Sequence, residues 1–314
     1  MERTSLHPSE RGNIRLSFEY FPPKNEEMET QLFQTVADLA SFAPAFQTVT
    51  YGAGGSTKAR SLTTVRRMIG EMGFRNTAAH MTCVGAPRSE VDAVVEEFLA
   101  CGVHHFVALR GDPQGGVGSA YQPFPGGYEN AAALVKALRA RGDFEISVSA
   151  YPEKHPESRD AAADIDMLKR KVDNGATRAI TQFFFDNDHF ERYLDQVRRA
   201  GIDVPIVPGI LPINNLSQVM KFAGLCGSTV PDAITSRLAH LDDQPAERFR
   251  EASHIAAEQI VDLVRRGVRD FHIYTMNRSP LVAAVCELLG YVRSPVKAEE
   301  RAVDESIKTA AGAR

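Results

Sequence analysis

The chain has 314 residues, 43% hydrophobic and 24% charged, with 23 Gly and 17 Pro, a make-up that excludes disorder, collagen and low complexity. Its 36 basic and 40 acidic side chains leave a formal net charge of −4, so no bulk field would gather nucleic acid or an anionic membrane. Cys83, Cys101, Cys226 and Cys286 stand singly and the nine histidines form no ligand-spaced set, so no metal is expected and the thiols read as reduced ones of a cytoplasmic protein.

The polar start MERTSLHPSERGN carries no apolar signal core, and no stretch reaches the ~20 apolar residues of a membrane span. Residues 1–12 are expected to be a flexible N-terminus. The first apolar, β-rich run is Ile14–Phe21, followed by a helix over Glu27–Leu39 with Met28, Leu32, Val36 and Leu39 on one face. Runs Phe46–Tyr51 and Thr77–Cys83 come next, then a helix over Val91–Ala100 closed by Gly102. Run His105–Arg110 leads into the Gly- and Pro-rich loop Gly111–Tyr128, too long for a tight turn and placed where a binding loop would be.

Helix Ala131–Arg141, run Glu145–Tyr151, helix Ala161–Asn174, run Ala179–Phe185, helix His189–Ala200 and run Ile206–Leu211 continue the alternation. Between Pro212 and Arg269 lie helical stretches at Asn214–Leu225, Pro231–Leu241 and Ala246–Arg266, an insertion before the last run, Asp270–Thr275, and a helix near Pro280–Leu289. Strands that alternate with helices run parallel, and eight of them can close a barrel. The expected fold is therefore α/β, a single (βα)8 barrel over residues 13–292 with extra helices between strands seven and eight, followed by a polar C-terminal tail over 293–314.

Barrel enzymes work at the C-terminal ends of their strands, and here those ends are densely polar. Glu19 sits in the apolar run SFEYF, costly to bury unless paired or protonated; as a neutral acid it would suit proton donation. Asp112, following Arg110 and Gly111, reads as a rim ion pair with Arg110 or as a site carboxylate. His80 is open between a core imidazole and a site group, and Phe183–Phe185 reads as packing. Lys169, Arg170 and Lys171 form a basic helical run, a solvated face unless the strand-five loop brings it to a phosphate. His104 and His105 fall at the opposite end of the barrel, and neither G-x-G-x-x-G nor a P-loop is present. Composition and spacing reach an acid-bearing barrel pocket with no named cofactor.

The strings SFEYFPPK, VTYGAGGS, HMTCVG, ALRGDP, AYPEKHPE, LKRKVDNGATRAITQFFFD, PGILPINN and FHIYTMNR together resemble the strand-end segments of the methylenetetrahydrofolate reductase family in its bacterial single-domain form. The resemblance, over roughly residues 14–290, implies an FAD-dependent barrel that uses NADH or NADPH to reduce 5,10-methylenetetrahydrofolate to 5-methyltetrahydrofolate by ping-pong hydride transfer, in methionine supply. It implies that Glu19 and Asp112 are catalytic, and that Gln182, Phe222, Met276 and Arg278 join them in binding the substrates. It implies FAD contacts from Thr50, His80, Arg110, Gly111, Asp112, Tyr128, Ala150, Tyr151, His155, Asp164, Arg170 and Lys171. Met167 stands where the family carries a polar side chain near the flavin's ribose or phosphates. A homo-oligomer is also implied. The rivals are another barrel flavoenzyme, such as one of the proline dehydrogenase kind, and a non-catalytic folate-binding barrel.

Overall fold

The structure, a computed structural model, describes Leu6 and residues 14–52, 57–113 and 121–294. Eight parallel strands close a barrel in sequential order: β1 (Arg15–Tyr20), β2 (Phe46–Val49), β3 (Thr77–Thr82), β4 (His105–Leu109), β5 (Glu145–Ala150), β6 (Arg178–Phe183), β7 (Ile206–Ile210) and β8 (Asp270–Tyr274). The helices between them are α1 (Glu26–Ala40), α2 (Lys58–Gly70), α3 (Arg88–Ala100), α4 (Ala131–Arg141), α5 (Ala161–Asp173) and α6 (Asn187–Arg199). Between β7 and β8 lie α7 (Leu216–Cys226), α8 (Asp232–Leu238) and α9 (Pro245–Arg265), and α10 (Ser279–Leu288) follows β8. The barrel expected from alternation is thus present, including the inserted helices. Helix α2 adds an element beyond the stretches read from sequence. The terminal segments expected at 1–12 and 293–314 fall outside the described residues, apart from Leu6 and 293–294, as does the 114–120 part of the loop after β4.

Local chemistry starts many of the helices. Asn25, Asn130, Asp160, Asp186 and Asn215 each accept a hydrogen bond from a backbone N–H in the first turn of α1, α4, α5, α6 and α7. Packing then divides each strand by its alternation. Phe18, Tyr20, Met81, Phe106, Ile146 and Val148 join the large core between strands and helices, with Val36, Val65, Phe98, Leu138, Ile260 and Val285 on the helical side. The opposite faces fill the barrel interior, where Phe46, Ile180 and Val207 form an apolar plug. Phe46 stacks on His272 at 5.7 Å and meets His105 edge-on at 4.8 Å.

Below that plug, His105 Nε2 lies 2.8 Å from Ser147 Oγ, and burial, reinforced by Arg178, pushes its pKa down to about 3. His105 is a neutral, satisfied interior group at the bottom of the barrel, away from the strand ends where a site would form.

Some strands end earlier than their apolar runs. The run through Arg110 stops pairing at Leu109, because the Arg110 carbonyl turns to accept from the N–H groups of Cys83 and Val84 at 3.2 and 2.9 Å. Gly111 follows in the left-handed region, φ +84°, where a Cβ would come within 2.5 Å of Val84 Cγ1; only glycine fits this turn. Strand β6 loses regular pairing with β7 between Ile180 and Phe183.

Candidate active site

Two groups of residues meet at the C-terminal mouth of the barrel. The first is inside it. Register pairs Ser17 with His272 and Glu19 with Tyr274 across the β1–β8 seam, and alternation turns these side chains inward. Ser17 Oγ lies 2.8 Å from His272 Nδ1 and 3.0 Å from the Phe271 carbonyl. His272 Nε2 is 3.3 Å from Glu19 Oε2, and His80 Nε2, from β3, approaches the same oxygen at 3.4 Å. Glu19 is 7% exposed and His272 fully buried. Two imidazoles therefore share one oxygen of a buried carboxylate.

The electrostatics differ from the reading of Glu19 as an acid kept neutral by apolar surroundings. Burial does push its pKa upward, but the charge and hydrogen bonding of His80 and His272 outweigh it and hold the carboxyl at about 2. Burial lowers His272, against the opposing pull of Glu19. The strand residue alone signals the cost of burial; the two imidazoles that offset it come from β3 and β8, distant in sequence.

Tyr274 roofs this centre on one side. Its hydroxyl donates to the Thr181 carbonyl at 2.7 Å, and the ring passes over Gly209, where a Cβ would lie 2.7 Å from Tyr274 Cε2. Beside it, Phe222 of α7 and Met276 pack in one apolar cluster with Phe183, Phe185 and Leu211. Phe183 and Phe185 thus belong to the rim, while Phe184 faces the main core. Arg278 is exposed at the N-cap of α10.

The second group is a cavity of about 920 Å³ at the ends of β4, β5 and β6, walled by one face of α5. Its lining brings together Arg110, Gly111, Asp112, Ala150, Tyr151, His155, Asp164, Lys171 and Gln182, with Met167, Tyr121, Glu157 and Tyr193. Arg110 pairs with Glu157, Nη1 to Oε2 2.7 Å, while Tyr121 lies 4.5 Å beneath its guanidinium. The rim pair weighed for Arg110 and Asp112 is therefore made by Glu157 instead, leaving Asp112 exposed at the cavity edge. Asp164 accepts from the His155 N–H at 2.5 Å and from the Ser158 hydroxyl, which folds the strand-five loop over the start of α5. Burial, with Arg110, lowers His155, whose Nδ1 accepts from the Glu157 N–H at 3.1 Å.

The basic run splits by helical geometry. Lys169 pairs with Asp173 on the outer face, Arg170 is exposed, and Lys171 turns inward, donating to the Ser149 carbonyl at 2.6 Å. Burial brings the Lys171 ammonium down to about 8, opposed by Asp164. Gln182 lines the cavity with its Oε1 accepting from the Phe183 N–H at 3.0 Å.

Four of the flavin contacts implied by resemblance lie off the cavity wall: His80 beside Glu19, Arg170 on the exposed face of α5, and Thr50 and Tyr128. Thr50 stands between β1 and α2, its N–H donating to the Tyr20 carbonyl at 2.9 Å and its own carbonyl accepting from Ser61 Oγ at 2.8 Å. Tyr128 is turned toward α3, where its hydroxyl donates to Asp92 at 2.6 Å; Tyr121 takes the place on the wall. Sequence reasoning passed over Ser17, His272, Glu157 and Tyr193. His272 was within reach, since the alternation of DFHIY puts it on the face of Tyr274.

Comparison with known proteins accords with this geometry. The methylenetetrahydrofolate reductase family profile matches residues 5–290. The 5,10-methylenetetrahydrofolate reductase of Pectobacterium carotovorum is 43% identical over 281 residues, 89% of this chain and 91% of its own. That of Escherichia coli is 42% identical over 279 residues, covering 89% of this chain and 92% of its own. A solved Clostridium thermocellum protein, described as binding two copies of 5-methyl-5,6,7,8-tetrahydrofolic acid, shares the fold at 12% identity, with a TM-score of 0.56 over 90% of this chain and 97% of that one. Matched by the profile over nearly all of its barrel and by relatives of its own length, the chain belongs to the methylenetetrahydrofolate reductase family of oxidoreductases.

Proposed function

We propose that this chain reduces 5,10-methylenetetrahydrofolate to 5-methyltetrahydrofolate, with FAD in the cavity beside Glu19 and NADH or NADPH as reductant in a ping-pong cycle. The observation that carries the reading is the buried Glu19 carboxylate, bracketed by two imidazoles at the barrel mouth, next to a cavity in the upper range for cofactor sites.

The cavity residues suit a dinucleotide. Arg110 and Lys171 bring positive charge and the first turn of α5 borders the space. Gly111 permits the tight turn that brings the end of β4 to the cavity wall, and Tyr121, Tyr151 and Tyr193 supply aromatic faces. These residues, with Ala150, His155 and Asp164, would hold the cofactor; Met167 contributes apolar contact on the same wall. Arg170, Thr50, Tyr128 and His80 would act on it less directly, through the helix, the β2 end, the loop and Glu19. The flavin, when bound, supplies the group that takes hydride from the nicotinamide and passes it to the folate's one-carbon unit.

The chain's own residues manage the proton. Opening the five-membered folate ring requires a proton on the departing nitrogen, and Glu19 is the acid placed to give it. His80 and His272 hold Glu19 ionised in the free protein, so the proton would be shared among these three groups and reach the carboxyl as substrate docks against it. Ser17 and His272 keep the carboxyl oriented through that change. Asp112 and Gln182, at the ends of β4 and β6, bind the folate ring, and Phe222, Met276 and Arg278 line the approach used in turn by nicotinamide and folate. The chemistry and its reductants are those of the soluble one-carbon pool, in keeping with a cytoplasmic, self-associating enzyme of methionine supply.

The test is spectroscopic. Purified protein should bind FAD and turn yellow, lose that colour with anaerobic NADH or NADPH, and regain it on adding methylenetetrahydrofolate. Protein that binds no FAD, or whose flavin is bleached by proline and whose reduced form is not reoxidised by methylenetetrahydrofolate, would refute the assignment.

A further inference from the structure

We propose that Asn277 is a positioning residue for Glu19, clasping the chain just beyond it so that the carboxylate stays between its two imidazoles. The inference rests on the role assigned to Glu19 above, and its grounds lie in the turn between β8 and α10.

The β1–β8 ladder runs out at the pair Glu19 and Tyr274. Beyond it, side chains continue the pairing. The Thr275 N–H and hydroxyl both donate to the Glu19 carbonyl, at 3.3 and 2.6 Å. The Phe21 N–H donates to Asn277 Oδ1 at 2.9 Å, and Asn277 Nδ2 donates to the Phe21 carbonyl at 2.8 Å. A primary amide presents one acceptor and one donor side by side, as a peptide unit does, so Asn277 forms an additional rung of sheet made from a side chain. A carboxylate of the same shape would meet the Phe21 carbonyl acceptor to acceptor.

The rung is itself anchored. The Asn277 carbonyl accepts from Gln31 Nε2 at 3.0 Å and from Thr35 Oγ1 at 3.1 Å, both on α1, and its N–H donates to Thr275 Oγ1 at 3.1 Å. Asn277 is 7% exposed, so these bonds are made away from competing water.

The backbone is held in an unusual form to make this possible. Met276 and Asn277 are consecutive left-handed residues, with φ of 52° and 53°. Asparagine tolerates that region and methionine does not favour it, so the surroundings enforce it. The result is that one turn delivers Met276 to the rim cluster with Phe222 while Asn277 holds β1. Without the clasp, Phe21 loses its rung, the chain just beyond Glu19 is held less firmly, and Glu19 gains freedom to leave the oxygen position that His80 and His272 share.

The experiment uses FAD-loaded Asn277→Asp and Asn277→Gly. Aspartate is nearly isosteric and lacks the donor; glycine suits the backbone and lacks the rung. Both should slow flavin reoxidation by saturating methylenetetrahydrofolate about tenfold or more, while flavin reduction by NADH stays within about twofold and folate KM changes little. In the substrate-free proteins, the hydrogen-bonded imidazole proton resonance assigned to His272 should shift or vanish. A parallel fall in both half-reactions, or an unchanged folate step in a variant with wild-type Tm, would overturn the proposal. If the wild type itself passes no hydride to folate, the functional reading fails, and the His272 resonance alone decides the clasp: an unaltered signal in the variants sinks it.

Discussion

The Glu19 centre and the neighbouring cavity share one barrel mouth but are made in different ways. Ser17, Glu19 and His272 sit within paired strands, with both ends of the seam hydrogen-bonded, so their relative positions are set by sheet register. The cavity is assembled from strand ends, the strand-five loop and a helix face, and its cations are engaged with partners of the chain itself: Arg110 with the Glu157 carboxylate, Lys171 with the Ser149 carbonyl. A proton-handling group requires fixed geometry, which rigid elements provide. A cofactor site must exchange internal partners for ligand atoms, which loops and long side chains permit. The consequence is that damage at the two places should be separable.

The largest expected effect breaks the comparison on the strand side. Glu19→Gln keeps the shape and removes the proton, so the folate half-reaction should fall by about 10²–10⁴-fold while reduction by nicotinamide persists, as read by anaerobic stopped-flow. Equal losses in both steps would mean that Glu19 serves the cavity as well.

Next is a pH effect on the cavity side. The folded Lys171 pKa of about 8 lies below its ordinary value of 10.5, so between these the unfolded chain binds the extra proton and stability rises with pH. Below about pH 8 the buried ammonium carries its full penalty, at most on the order of 3 kcal/mol. Urea unfolding from pH 8 to 10.5 should show this rise relative to Lys171→Met, which removes it; parallel curves would show that Lys171 is not the group responsible.

Lys171→Met should also weaken FAD binding by roughly tenfold to a hundredfold, measured by flavin fluorescence, through loss of a charge-assisted hydrogen bond. The smallest effect sharpens the boundary of the cavity. Tyr128→Phe removes the hydrogen bond to Asp92 and should cost about 1 kcal/mol in stability with FAD affinity unchanged. Weakened flavin binding in that variant would show that the loop swings Tyr128 inward when the cofactor binds.

Much of this was legible in the chain itself, because the signals are local. Apolar runs alternating with amphipathic stretches define βα units, and parallel closure follows from eight of them. A glutamate inside SFEYF declares itself by its burial cost, and Gly111 by the turn it permits. The strings that resemble the reductase family lie at those same strand ends.

Tertiary structure alone decided what each charged group meets. Glu19 finds His80 and His272, 61 and 253 residues away, and its ionisation reverses the expectation from burial. Arg110 selects Glu157 over adjacent Asp112, and Tyr128 yields the cavity wall to Tyr121. Side-chain periodicity depends on near neighbours in the chain, so sequence determines the elements and their faces. Pairings across a closed barrel depend on shear, loop path and the competition of several partners for one oxygen, and these exist only after the barrel has closed.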